Sequence, residues 1–368
     1  MTELPIVRRL LEEGIAAGLH PGAVVHASVG GSIASELAVG EAQPGVPLSP
    51  DSIVLWMSST KPVGAVATLQ LVERGKLTLD DRVAEHIPEF AIGGKEAITV
   101  RHLLTHTGGF RRVDLRGVEF DWDETLRRIC AAPLEKSWIA GETLGYHSLT
   151  SWYVLGELIR RIDGRPFEKY VRDEIFLPLG MRDSWVGVPI DQLDSYGNRI
   201  ALTHETDRPG HPVHSYSSRQ GVSACVPGGN GHGPARELAR FYEMLRNEGT
   251  LDRVRILSPG SVQQMTDRQN AGRIDVTFRH TLDFGLGLIL NSARYGPETV
   301  PYGYGPYASD STFGHSGSQS SVAFCDPERR LVAAVVFTGM PGEAQHQRRV
   351  RAVLAGLYED LGLVEAAK

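Results

Sequence analysis

Lysine is scarce in this 368-residue chain: six of its 38 basic residues are lysine and the rest are arginine. The arginine bias reads as genomic base composition, not function. Basic residues fall short of the 44 acidic ones, leaving a net charge of −6. That balance excludes a general nucleic-acid binder, which needs a basic face, and a polybasic membrane anchor. Hydrophobic residues make up 41% of the chain, yet no apolar run reaches the ~20 residues that span a bilayer. Met1-Thr2-Glu3-Leu4-Pro5 carries no basic segment ahead of an apolar core, so no secretory signal is expected there. Cysteine is sparse too. Cys130, Cys225 and Cys325 are far apart, odd in number and form no C-x-x-C pair, which predicts free thiols in a reducing cytoplasm.

Familiar motifs are also missing. There is no G-x-S-x-G, since Gly314-His315-Ser316-Gly317-Ser318 lacks the final glycine; this argues against an α/β-hydrolase. There is no G-x-x-x-x-G-K-[ST] phosphate loop and no H-E-x-x-H, so neither nucleotide hydrolysis by that route nor a zincin is expected. Gly228 to Gly233 is glycine-rich but precedes Pro234 and follows no dinucleotide-fold strand; it reads as a tight loop near the site. His204, His211 and His214 read as a surface loop. No metal and no cofactor are expected.

What is present is a strand-rich start, a helical middle and a strand-rich end. Ile6, Val7, Leu10, Leu11 and Ile15 make one apolar stripe, with Thr2 as a candidate cap, Pro5 in the first turn and Gly18 as the stop. Gly22 to Val29 and Ile33 to Val39 read as strands joined at Gly30-Gly31. Val63 to Arg74, Val100 to Leu104, Leu149 to Ile162 and Ala235 to Asn247 read as helices. Gly285 to Leu290, Gln319 to Cys325 and Leu331 to Thr338 read as strands, the last two joined by Asp326 to Arg330. A final helix covers Glu343 to Leu361. The expected fold class is α+β: an antiparallel sheet built from both chain ends and flanked by helices, with a mainly helical insertion. The expected division is 1–50 with 271–368, and 51–270, with the active site between them.

Ser58-Ser59-Thr60-Lys61 is the only S-x-x-K in the chain, where 25 serines and six lysines give roughly 0.4 by chance. Opening a helix, it sets the Ser58 hydroxyl and the Lys61 ammonium on one face, a turn apart. Serine needs such a neighbouring base to become a nucleophile. Downstream stand Tyr146-His147-Ser148 and His315-Ser316-Gly317-Ser318. A phenol is a poor base unless its pKa falls, and Lys61 is the candidate to lower that of Tyr146. His315-Ser316-Gly317 is expected at the start of a strand, where a glycine admits close approach of another chain segment or a ligand.

Together these elements resemble the serine β-lactamase and penicillin-binding-protein superfamily. The similar branch holds class C β-lactamases, D-Ala-D-Ala carboxypeptidases with a histidine in the third motif, and family VIII carboxylesterases. Val100 to Gly109, Leu177-Pro178-Leu179-Gly180-Met181, Gly228 to Leu245 and Phe313 to Gly317 extend the likeness to about residues 5–360. The resemblance implies that Ser58 is acylated, Lys61 is its base and Tyr146 relays protons. It implies an oxyanion hole from the N–H groups of Ser58 and Ser318, and a substrate channel lined by Ser148, His315, Ser316 and Gly317. Class C enzymes carry asparagine at Ser148 and lysine and threonine at His315 and Ser316. A histidine with a pKa near 6.5 is mostly neutral at pH 7, so the third motif lacks a fixed positive charge. The expectation is a carboxylesterase on small esters, with activity tied to His315 titration. The alternatives are a β-lactamase or carboxypeptidase-like amidase, an acyltransferase to an alcohol, and a catalytically degenerate ligand-binding relative. No nucleic-acid or membrane partner is expected; oligomeric state is left open.

Overall fold

The computed structural model describes residues 1–296 and 301–364. Helix α1 spans Pro5–Ala16, with proline at its first position, where no N–H is missed. Thr2 does not cap it: the Thr2 N–H donates to the Ala34 carbonyl. Instead the Ile6 and Val7 N–H groups donate to the Asp360 carboxylate at 3.2 and 3.0 Å. The cap thus comes from the opposite end of the chain, a tertiary answer to the unpaired first N–H groups. Strands β1 (Gly22–Val29) and β2 (Ser32–Gln43) form a hairpin. Gly30 and Gly31 turn it with φ of 63° and 86°, values that favour glycine. Strand β3 is Val46–Pro47.

The helical middle includes α2 (Lys61–Glu73), α3 (Thr150–Asp163) and α4 (Ala235–Arg246). Helix α2 is buried continuously from Lys61 to Leu71, as expected of a helix apolar on all sides. Strands then resume as β4 (Asp283–Phe284), β5 (Ile289–Leu290), β6 (Phe313–Gly317), β7 (Ser321–Asp326) and β8 (Leu331–Phe337), and α5 (Glu343–Asp360) follows. The eight strands make one sheet in the order β4-β5-β6-β7-β8-β1-β2-β3, and all neighbours are antiparallel. Both chain ends build it, as the sequence predicts.

Alternation decides which face each helix covers. On β8, Leu331, Ala333, Val335 and Phe337 join Val7, Leu11, Val350, Leu354 and Leu357 of α1 and α5 in one core. Val332, Ala334 and Val336 point the other way, joining Leu238, Phe241, Tyr242 and Leu245 of α4. The sheet is therefore buried on both faces there, which explains why β1 and β8 read as near-continuous apolar runs.

Two expectations need correction. Gly285 to Leu290 is not one strand. It is the turn and second arm of the β4–β5 pair, with Asp283 opposite Leu290 and Phe284 opposite Ile289. Gly287, at φ 70°, turns the chain where a Cβ would meet the Ala65 Cβ of α2 at 2.6 Å. His315-Ser316-Gly317 does not begin a strand that continues to Cys325. It lies within β6, which turns sharply into β7, with Gly317 opposite Ser321 and Gln319 at φ 50°. Among the described residues, no helix is long and apolar enough to cross a membrane.

Candidate active site

Ser58 sits in a 3-10 turn, Met57–Thr60, that runs directly into α2 at Lys61. The turn is tightly constrained. Met57 has φ 49°, a left-handed conformation costly for a side chain this size and held only when the surroundings impose it. The Thr60 hydroxyl donates to the Met57 carbonyl at 2.6 Å and accepts the Gly231 N–H at 2.8 Å. The Ser59 hydroxyl donates to the His315 carbonyl at 2.9 Å and lies 3.0 Å from the Ser321 Oγ. Ser321 Oγ in turn donates to the Trp56 carbonyl at 2.6 Å. So the two middle residues of Ser58-Ser59-Thr60-Lys61 bolt the turn that carries Ser58 to β6 and β7 on one side and to Gly231 on the other. Neither residue shows a role in the sequence, because Gly231 and His315 lie over 170 residues away from them.

Gly317 makes that junction possible. A Cβ there would meet the Ser321 Oγ at 2.3 Å, the Trp56 carbonyl oxygen at 2.4 Å and the Met57 Cβ at 2.7 Å. The third motif's glycine thus admits the backbone that carries Ser58.

The Lys61 Nζ lies 2.9 Å from Ser58 Oγ, 2.7 Å from the Ser148 carbonyl oxygen and 2.6 Å from the Gly228 carbonyl oxygen. Lys61 is fully buried, and burial drives its pKa well below the ordinary lysine value. A neutral amine has two N–H donors and one lone pair. With both carbonyls taking N–H donors, the neutral amine keeps its lone pair for the Ser58 hydroxyl, whereas the ammonium donates to Ser58 Oγ as well. Ser148 enters through its carbonyl, while its side chain is exposed. Gly228, in the glycine-rich loop, supplies the other carbonyl.

Tyr146 lies on the same site. Lys61 Nζ is 5.2 Å from its ring centroid, and its hydroxyl interacts with Ser58. The expected lowering of its pKa by Lys61 does not occur. Burial raises it above the ordinary phenol value, the Ser58 contact opposes this, and the Asp275 and Glu343 carboxylates add to the rise. Burial thus shifts both groups, amine and phenol, towards their uncharged forms. Tyr146 is fixed by a stretch that the sequence did not mark. Asp275 Oδ2 accepts the Tyr146 N–H at 2.8 Å, while Asp275 Oδ1 accepts those of Thr277 and Phe278 at 2.7 and 2.9 Å. The Phe278 ring lies 5.0 Å from the Tyr146 ring, and the His106 ring 4.7 Å away.

His315 is buried, its ring 6.0 Å from that of Tyr146. Its Nδ1 faces the Ser316 carbonyl oxygen at 2.8 Å, so Nδ1 carries the hydrogen and Nε2 a lone pair with no hydrogen-bond partner among the described residues. Burial, then nearby Lys61, pushes its pKa down to about 3. It is neutral at pH 7, as expected, but an inflection near 6.5 is not available to it. The same burial holds His147, beside Tyr146, at about 3. Ser316 is buried with an unpartnered Oγ. Ser318 is partly exposed in the β6–β7 turn. Among the described residues, neither the Ser58 nor the Ser318 N–H donates to another backbone carbonyl; Ser58 precedes the first bonded N–H of its turn.

The Beta-lactamase family profile matches residues 7–357. The chain is 34% identical over 223 residues to Esterase EstB of Burkholderia gladioli, covering 54% of this chain and 52% of that protein. The chain thus aligns with about half of that esterase. A penicillin-binding protein homolog from Caulobacter crescentus superposes with a TM-score of 0.79 at 31% identity, covering 96% of this chain and 97% of that one. A family VIII carboxylesterase superposes with a TM-score of 0.78 at 27% identity, with coverage of 96% and 97%.

Proposed function

The chain belongs to the Beta-lactamase family, and on that premise we propose that it is a serine hydrolase that cleaves small carboxylic esters through an acyl-enzyme on Ser58. The observation that carries this reading is the Lys61 Nζ, buried, flanked by two carbonyls and 2.9 Å from Ser58 Oγ. Lys61 takes the hydroxyl proton as Oγ bonds to the ester carbonyl carbon. The oxyanion forms against the N–H groups of Ser58 and Ser318, donors already in place when the charge appears. Collapse breaks the bond to the alcohol oxygen. Tyr146, held as a neutral phenol, gives that oxygen its proton and recovers one from Lys61. Water then repeats the sequence on the acyl-enzyme, and its proton returns through the same pair. Ser148, His315, Ser316 and Gly317 border the substrate.

Esters are favoured over β-lactams and peptides because His315 and Ser316 offer no fixed cation for a substrate carboxylate. The similarity to Esterase EstB and to the family VIII carboxylesterase supports the same choice. A cytoplasmic address belongs to this reading and is supported by three free cysteines. The test is hydrolysis of p-nitrophenyl butyrate beside a chromogenic cephalosporin. The parent should favour the ester by at least about 10² in kcat/KM, roughly 2.7 kcal/mol of barrier. Ser58→Ala should abolish turnover of both. Comparable efficiency on the two substrates would make the protein a β-lactamase, and ester turnover persisting in Ser58→Ala would overturn the mechanism.

A further inference from the structure

We propose that Glu343 sets the charge preference of this site, so that it takes neutral and amine-bearing esters and rejects those carrying a carboxylate. The inference rests on the reading of Ser58 as the acylated nucleophile. Glu343 is exposed and opens α5. Its Oε1 accepts a hydrogen bond from the Tyr302 hydroxyl at 2.6 Å. Tyr302 is itself held in place, its N–H donating to Gln347 Oε1 at 3.0 Å. The Tyr302 ring stands edge-on to Phe278 at 5.5 Å, and Phe278 lies 5.0 Å from Tyr146. The Tyr302 hydroxyl also meets the Ser318 side chain. A row of three rings therefore leads from the proton relay to a carboxylate, and that carboxylate is coupled through Tyr302 to the turn that bears Ser318.

The charge on Glu343 is not neutralised by an ion pair among the described residues. Arg349, under the same turn, does not serve as its counter-ion. Its guanidinium is buried and donates to the carbonyls of Leu19, Gln319 and Gly339. His315 is neutral. On the side of the Ser318 turn a substrate at Ser58 thus meets a carboxylate, while the guanidiniums of Arg111 and Arg116, which line the cavity beside Ser148, are held by Glu135 and Asp114. At about 0.1 M salt the Debye length is ~10 Å, and the Glu343 carboxylate already acts electrostatically on the Tyr146 hydroxyl beside Ser58.

Three 4-nitrophenyl esters of equal acyl length test this, ending in a methyl, a carboxylate or an ammonium group. A second set carries the same three groups on the alcohol side. The readout is the ammonium-to-carboxylate ratio of kcat/KM within one protein, which is independent of the folded fraction. The parent should favour ammonium in at least one set. Glu343→Gln, which can still accept the Tyr302 hydrogen bond, should lower that ratio about fivefold, the upper end for a partly exposed charge pair. Glu343→Lys should lower it further, and about 1 M salt should erase the difference among the three proteins, the Debye length falling to ~3 Å. A parent preference for carboxylate, or an equal ratio in all three proteins with both sets, would overturn the inference. Ser58→Ala run in parallel separates the two claims. Loss of its hydrolysis beside an unmoved ratio removes only the role of Glu343. Retention of hydrolysis removes the Ser58 mechanism.

Discussion

Gly317→Ala probes the junction that places Ser58. The added Cβ would lie 2.4 Å from the Trp56 carbonyl oxygen and 2.3 Å from Ser321 Oγ. Contacts under 3.0 Å are essentially never seen, so the backbone at Trp56 and β6 must separate by at least 0.6 Å, that is 3.0 minus 2.4. Ser321 could rotate away, but a carbonyl cannot. The separation stretches the Ser321 bond to Trp56, now 2.6 Å, and the Ser59 bond to the His315 carbonyl, now 2.9 Å. Overpacking of this kind costs about 1–3 kcal/mol of stability. A displacement near 1 Å at reacting atoms costs roughly 10² in rate. Ester kcat/KM should therefore fall about 10- to 100-fold, with a lowered thermal midpoint. Adding Ser321→Ala should not restore it, because the Trp56 carbonyl remains. Activity within about threefold of the parent and an unchanged midpoint would refute the argument.

Three further outcomes follow from the same geometry. Activity should fall only as pH drops through the lowered pKa of Lys61, because protonation removes the base. With Tyr146 raised and His315 at about 3, a kcat/KM profile for a neutral ester should show no inflection from either between pH 5 and 9. Tyr146→Phe and Lys61→Ala should each cost roughly 10²–10⁴ in rate, and the double variant should be little worse, since groups acting as a unit are not additive; multiplying losses would contradict the shared relay. Stability should be acid-sensitive. His20, His147 and His315 lie near 3 and His232 near 4 in the folded chain through burial. The unfolded chain, with histidines near 6.5, binds more protons, so stability is full above 6.5 and lost as pH falls towards the folded values. Between pH 6.5 and 5 each such group costs about 2 kcal/mol; denaturant melts that coincide at the two pH values would contradict this.

The elements legible in the sequence were those whose cause is local. Gly22–Val29 shows its β-branched run and its glycine turn, and Val100–Leu104 is bounded by Thr99, whose side chain accepts the His102 N–H. The approach of Lys61 to Ser58 is legible because their spacing is itself the geometry. What escaped depends on partners distant in sequence. The cap of α1 comes from Asp360, so Thr2 misled. The roles of Ser59 and Thr60 appear only when β6 and Gly231 arrive beside them. Asp275 to Phe278 has no motif, yet it holds Tyr146 by backbone and ring alike. The charge state of Tyr146 is hidden from the sequence for a related reason. Proximity to Lys61 is readable from a motif, but burial is a property of the assembled core, and burial is the larger effect.

The proposed hydrolysis requires that Ser58 become covalently acylated. Intact-mass measurement after exposure to a fluorophosphonate, followed by peptide mapping, tests it most directly. A single phosphonyl adduct on Ser58 is expected, formed quickly in the parent and only slowly in Lys61→Ala. An adduct on a different residue, or none while ester hydrolysis continues, would contradict it.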